Sequence, residues 1–251
     1  MDLTFDRLTA LRALRVYRAS RQSLPSSRYD LTAPDPSPRQ RWTSSLIPLD
    51  RLALEREPSP TEPVEVVVPR LADRVRGSFF TCRVRSTTLP EGSFVSVGYG
   101  LSIPCPELLF LELAEVMQPA VHALLGYELC GTYARSASDP RCGEVTYGVD
   151  PVTSVERIER YLDRVARREG VLIARRNLSF VADNAWSPME AVIALMARLP
   201  TVELGYGFGS VSLNVRHGTS PELVALGCRD SRVPDVELGG LRVGFNYDSH
   251  D

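Results

Sequence analysis

Pro234-Asp235-Val236-Glu237-Leu238-Gly239-Gly240-Leu241-Arg242-Val243-Gly244-Phe245-Asn246-Tyr247-Asp248-Ser249-His250-Asp251 closes the chain and reads as a strand, a tight turn and a second strand. Gly239 and Gly240 sit where a hairpin turn needs positive φ. Val243, Phe245 and Tyr247 give the second strand an apolar face, and period 2 places Asn246 and Asp248 together on the other. An acid at 235 facing two polar groups on the next strand is the pattern with which many metal-dependent nucleases hold Mg²⁺, a cation that takes carboxylate oxygens. The same spacing suits a polar-faced hairpin in solvent, and short motifs often match by chance.

Working outward, the 251 residues have room for one large or two small domains. Hydrophobic content of 43% and charged content of 24% are those of a soluble globular chain. The formal net charge of -2 argues against a strongly basic nucleic-acid surface while leaving room for a local patch. All 29 basic residues are Arg, so no chemistry that needs a lysine runs on this chain. The five cysteines (Cys82, Cys105, Cys130, Cys142, Cys228) show no metal-ligand spacing. The N-terminus is charged and lacks an apolar signal region, which predicts a reducing, cytoplasmic setting. The most apolar stretch, 101–125, is interrupted by Glu107, Glu112 and Glu115, which predicts a buried helix pair and no membrane span.

Residues 3–17 carry Leu8, Leu11, Leu14 and Val16 at helical spacing, with Asp6, Arg7, Arg12, Arg15 and Arg18 expected outside. Residues 20–63 are rich in Pro, Ser and Arg and read as a linker or irregular excursion, with one short helix at 48–55. Runs at 64–68, 78–86, 93–97 and 101–103 predict a small antiparallel β unit, followed by an apolar helical hairpin at 106–117 and 120–129. Cys130 reads as a small buried hydrophobe. Residues 152–170 predict one amphipathic helix. Its outer face bears Arg157, Arg160, Arg164, Arg167 and Arg168, which suit either phosphate contact or a solvated, internally paired surface. Ser187-Pro188-Met189-Glu190 forms a capping box at the start of the next helix. Runs at 210–215 and 223–228 predict strands leading into the hairpin.

The last third resembles the endonuclease-like domain of the very-short-patch-repair type, within the restriction-endonuclease superfamily. Such a domain occurs in bacterial antitoxin-like and transcriptional-regulator-like proteins of the abortive-infection type. The residues that carry the resemblance are Ser187-Pro188-Met189-Glu190, Val233-Pro234-Asp235 and Gly244-Phe245-Asn246-Tyr247-Asp248-Ser249. They are similar to family strings of the form Ser-Pro-x-Glu, Val-Asp-x-x-Trp-Pro and Val-Glu-Tyr-Asp-Gly/Ser. A further similarity, to stretches that precede this domain, lies in 94–134 and includes Glu128-Leu129-Cys130-Gly131-Thr132-Tyr133.

The resemblance implies a catalytic set of Asp235, Asp248 and Glu190, with Asp235 and Asp248 as ligands of Mg²⁺. It also exposes two departures. The family glutamate is Asn246 here, and a neutral amide holds and activates a metal poorly. In the family more polypeptide follows the Tyr-Asp strand, whereas this sequence stops at Asp251, which predicts an uncovered sheet edge and apolar face. The expected fold class is therefore α+β. A small antiparallel β unit and a helical hairpin precede an incomplete restriction-endonuclease-like α/β core, divided as 1–63, 64–150 and 151–251. The expected function is a degenerate, DNA-associated regulator or antitoxin-like protein with a toxin-like partner. A Mg²⁺-dependent endonuclease and a protein-interaction module are the alternatives.

Overall fold

The computed structural model describes residues 2–35, 42–85, 88–241 and 243–247. The chain is a mixed α/β fold with several small sheets. Strand β1 (Leu3–Thr4) leads into helix α1 (Arg7–Ala19). Strands β2 (Val64–Val68), β3 (Phe80–Val84), β4 (Phe94–Gly98) and β5 (Leu101–Pro104) follow. β5 is central in its sheet, parallel to β1 and antiparallel to β4. A bridge from Phe5 to Val66 joins this sheet to the β2–β3 pair.

The expected antiparallel unit is corrected in part: β4 and β5 are antiparallel, but β2 and β3 run parallel in register Val64↔Phe80 to Val68↔Val84. The physical reason lies in β2, whose continuous valine run is buried, as parallel strands require. The stretch 20–63 packs on the same core through Trp42, Ile47 and Leu52, and its expected helix is a single 3-10 turn at Asp50–Leu52.

Helices α2 (Pro106–Leu113) and α3 (Pro119–Cys130) form the expected buried hairpin. Short strands β6 (Tyr133–Ala134) and β7 (Thr146–Tyr147) pair beyond it. The helix expected over 152–170 is shorter, α4 (Val155–Arg164); turns follow it, and a separate helix, α5 (Val171–Leu178), starts just beyond the expected range. The break lets Val165 and Val171 both reach the core, which one straight helix would not. Helix α6 (Pro188–Arg198) then leads to β8 (Val211–Leu213) and β9 (His217–Gly218). The strand expected at 223–228 is instead helix α7 (Pro221–Ala225). There the Ser220 hydroxyl caps the Leu223 N–H and Pro221 occupies the first turn, and these local signals outweigh the apolar run. β10 (Ser231–Arg232), β11 (Val236–Leu238) and β12 (Val243–Phe245) complete the chain.

The interior is tied by arginine–carboxylate pairs, and α1 departs in part from its expected polarity: Leu11 and Leu14 are buried as expected, but so are Asp6, Arg15 and Arg18. Arg15 and Arg18 are 8% and 2% exposed, while Leu8 is 49% exposed. Arg15 makes a two-pronged pair with Glu128 of α3, Nε–Oε1 2.9 Å and Nη2–Oε2 2.7 Å. Arg18 donates to the carbonyls of Glu128, Gly131 and Asp150 at 2.8–3.0 Å. Burial pushes the Glu128 carboxyl up. The Arg15 charge and hydrogen bonds, aided by Arg18 and the Arg135 N–H, more than offset this and hold it below its ordinary value. On α2, Glu112 meets Arg83 at 3.0 Å and also pairs with Arg85, while Arg83 grips Asp6 through two 2.6 Å bonds.

Two predictions follow from this interior. Arg18→Met strands the buried carbonyls of Glu128 and Gly131 and leaves the Glu128 carboxylate with one guanidinium, so unfolding in urea should show a loss of about 3–5 kcal/mol. His122 is fully buried between the Phe110 carbonyl (Nε2, 2.7 Å) and Asn177 Nδ2 (Nδ1, 3.0 Å), and burial lowers its pKa to about 4. The unfolded imidazole takes its proton first as pH falls. The stabilisation is therefore complete above the unfolded value and is lost as pH falls from about 6.5 toward 4, by about 3 kcal/mol in all. His122→Gln should remove that slope from the pH dependence of unfolding.

Candidate functional site

The closing sheet has the order β12-β11-β8 and is antiparallel throughout. Its register sets Val236 opposite Phe245 and Leu213, Glu237 opposite Gly244 and Ser212, and Leu238 opposite Val243 and Val211. Val211, Leu213, Val236 and Leu238 are buried beside α6. Strand alternation then puts Ser212, Glu237 and Gly244 on the other face, with Asp235 and Asn246 just beyond the strand ends on that same side. The register sets Asp235 and Asn246 on one polar face, as expected; of the two turn glycines, Gly240 has the expected positive φ, +80°, and Gly239 does not. Asp248 lies outside the described residues. At the sheet edge Val243 and Phe245 remain exposed.

Asp235 and Asn246 bond to each other's strand. Asp235 Oδ2 accepts the Tyr247 N–H at 2.5 Å, and Asn246 Oδ1 accepts the Asp235 N–H at 3.3 Å. The Asp235 carbonyl accepts the Asn214 N–H at 3.3 Å. These contacts staple the open end of the hairpin, as Asp and Asn side chains commonly do at turns and strand ends.

Glu190 is held differently. It is buried at the start of α6, where its own N–H donates to Ser187 Oγ at 3.1 Å. Its Oε2 accepts from the Trp186 N–H at 2.9 Å and from Asn214 Nδ2 at 2.7 Å. The expected capping box forms with its return bond shifted one residue, to Trp186 instead of Ser187. Asn214, which the sequence reading passed over, is thus the link between Glu190 and the Asp235 backbone. It takes a left-handed φ of +54°, and its Oδ1 is buried without a partner among the described residues. An Asn just past an apolar strand is a residue type enriched in that conformation, and this was the only available signal.

On the polar face a second acid, Glu237, pairs with His217 Nε2 at 2.8 Å. The face opens into a pocket of about 1090 Å³ edged by Arg229, Arg232, His217, Glu237 and Asn246.

Among the described residues the oxygens of Asp235, Asn246 and Glu190 suit Mg²⁺ poorly, since that cation takes near-octahedral oxygen coordination at about 2.1 Å. Asp235 gives one oxygen to a backbone N–H, Asn246 gives its only oxygen to another, and one Glu190 oxygen carries two donors. Among the described residues no group of three His, Cys, Asp or Glu side chains is arranged to hold a metal ion. Cys130 is buried and its thiol pushed well up by burial, so it is a packing residue and not a nucleophile.

The expected arginine face is divided. Arg157 Nη2 lies 3.1 Å from Glu107 Oε1 on α2, and Arg160 Nε lies 3.7 Å from Glu156 Oε1. Arg164 and Arg167 are exposed and have no acid partner among the described residues. Arg168 is half-buried, and burial lowers its pKa. No helix among the described residues is long and apolar enough to cross a membrane.

No family model, no curated protein and no solved structure matched this chain.

Because Glu190 acts as a cap and a bridge, Glu190→Ala should strand the Asn214 amide and the Trp186 N–H and cost about 1–3 kcal/mol in chemical denaturation. Ser187→Ala should cost about 1 kcal/mol.

Proposed function

We propose that the chain is a non-catalytic, DNA-associated regulator or antitoxin-like protein built on an endonuclease-like sheet. The observation that carries this reading is the reciprocal bonding of Asp235 and Asn246 with the backbone of the opposite strand. A helix bearing Glu190, followed by antiparallel strands with Asp235 and Asn246 on one face, has the layout from which a metal site would be built. In this chain the same side chains close hydrogen bonds within the sheet, and the residue at 246 is an amide. Arg229 and Arg232 at the rim of that face supply positive charge for phosphate contact without any metal.

The test is plasmid cleavage during Mg²⁺ or Mn²⁺ titration, comparing the natural chain with Asn246→Glu. The expected result is no cleavage by the natural chain. Restored cleavage in Asn246→Glu identifies a disabled nuclease site. Metal-dependent cleavage by the natural chain overturns the reading and makes it an endonuclease.

A further inference from the structure

A second concentration of positive charge lies away from the closing sheet, between α4 and the turn before β4. Arg28, Arg157, Arg160 and Arg164 surround a pocket of about 390 Å³ together with Glu91 and Glu107. Four guanidiniums and two carboxylates line it, and Glu156, outside the lining, pairs with Arg160, so a positive excess remains.

Each arginine is placed by identifiable local structure. On α4, positions 157, 160 and 164 fall on one helical face. The helix start is already satisfied, because Ser154 Oγ accepts the Arg157 N–H at 3.3 Å and Asp183 Oδ1 accepts the Val155 N–H at 2.9 Å. Arg28 arrives from the irregular N-terminal excursion, which pairs with β4 through mutual Tyr29 and Phe94 backbone bonds of 3.1 and 3.0 Å. Gly92, at φ +73°, lets the turn lie against it: a Cβ there would fall 2.9 Å from Arg28 Cβ. The Gly92 N–H donates to Asp30 Oδ1 at 3.0 Å, which fixes the same approach.

The positive charge is only partly compensated. Glu107 Oε1 accepts from the Thr153 hydroxyl at 2.7 Å and lies 3.1 Å from Arg157 Nη2. Arg28 Nη1 lies 3.6 Å from Glu107 Oε2, beyond hydrogen-bond distance, and it is buried without an acceptor among the described residues. A buried guanidinium N–H without an acceptor is costly, and an anionic oxygen in the pocket would satisfy it. The Arg160–Glu156 pair is exposed on both sides and binds weakly. Arg164 has no acid partner among the described residues. The floor is formed by Cys105 and Tyr161, both buried, and burial pushes the Cys105 thiol up to about 12. A neutral, poorly hydrated floor strengthens charge–charge attraction above it.

We propose that this pocket binds a phosphoryl group, with Arg28 and Arg164 donating to its oxygens and Arg157 and Arg160 closing the rim. Planar, multiply donating guanidiniums suit phosphate oxyanions. The pocket stands on its own geometry and does not depend on the reading of the closing sheet.

The experiment uses the full chain and follows arginine Nε–Hε resonances by NMR during titration with inorganic phosphate, with acetate and sodium chloride at matched ionic strength. Saturable shifts at Arg28 and Arg164 with phosphate alone are expected, and Arg28→Gln and Arg164→Gln should each weaken binding about tenfold or more. Arg56→Gln, on a distant exposed pair, should leave it unchanged. Arg164 is exposed, so its variant carries the test if Arg28→Gln fails to fold by circular dichroism. Equal responses to phosphate and chloride, or wild-type affinity in Arg164→Gln, overturn the proposal.

Duplex DNA with and without a 5′-phosphate identifies the source of the group. An equal response assigns backbone phosphate, and a response only to the phosphorylated duplex assigns a terminal one. DNA binding without phosphate saturation overturns the pocket and leaves the DNA-associated reading standing. Phosphate saturation without DNA binding upholds the pocket and removes that reading.

Discussion

The fold depends on a guanidinium in its interior. The last carbonyls of a helix lack intrahelical partners, and α3 ends inside the protein, away from water. Arg18 meets this need from α1 by donating to the carbonyls of Glu128 and Gly131, and it reaches across to Asp150 as well. Arg15, one helical turn earlier, neutralises the Glu128 carboxylate in the same place. Two charges so deeply buried are tolerable because these partners meet most of their donors, with Arg18 Nε alone of the two guanidiniums' nitrogens buried without an acceptor among the described residues. They fix α1 against the α2–α3 hairpin. That hairpin in turn holds α5 through the His122–Asn177 bond and α4 through the Arg157–Glu107 pair.

The same pairing inside leaves particular groups unpaired outside. Glu107 and Glu112 are buried in α2 and neutralise arginines from β3, α4 and the residues around them. Arg164, Arg167 and one nitrogen of Arg28 are left without acceptors among the described residues. A formal net charge of -2 therefore coexists with a local cationic pocket. The closing sheet shows the opposite arrangement. There Glu237 pairs with His217, while Asp235 and, on the adjoining α6, Glu190 engage backbone and amide donors and so act as staples of the strands and helix that carry them.

Much of this was legible where one local rule decides the outcome. Serine followed by proline and glutamate at 187–190 gave a capped helix, and the glycines at 239–240 gave a hairpin in which Asp235 faces Asn246, while the period-2 pairing of Asn246 with Asp248 falls outside the described residues. The apolar run at 106–129 gave the helical hairpin. Rules failed where long-range partners override local pattern. Helical periodicity sends charges outward, so it cannot foresee that Glu128, 113 positions after Arg15, draws that arginine inward and leaves Leu8 exposed. The parallel pairing of β2 with β3 follows from burial on both faces, which a valine run allows but does not demand. At the site, residue type showed that Asp235 is acidic but not that the Tyr247 N–H would occupy it. Nor could spacing bring Arg28 beside α4, because that approach depends on the turn at Gly92.

Asp235 Oδ2 belongs to the backbone hydrogen bonding of the hairpin through the Tyr247 N–H, and under the proposed function it holds no metal. The direct measurement is a MgCl₂ titration of the natural chain, following the Asp235 carboxyl carbon and the Tyr247 amide by NMR against sodium chloride at matched ionic strength. The expected result is a Tyr247 N–H that stays protected from exchange, with no shift specific to magnesium at either position. A saturable, magnesium-specific shift of the Asp235 carboxyl, accompanied by loss of Tyr247 protection, would contradict it.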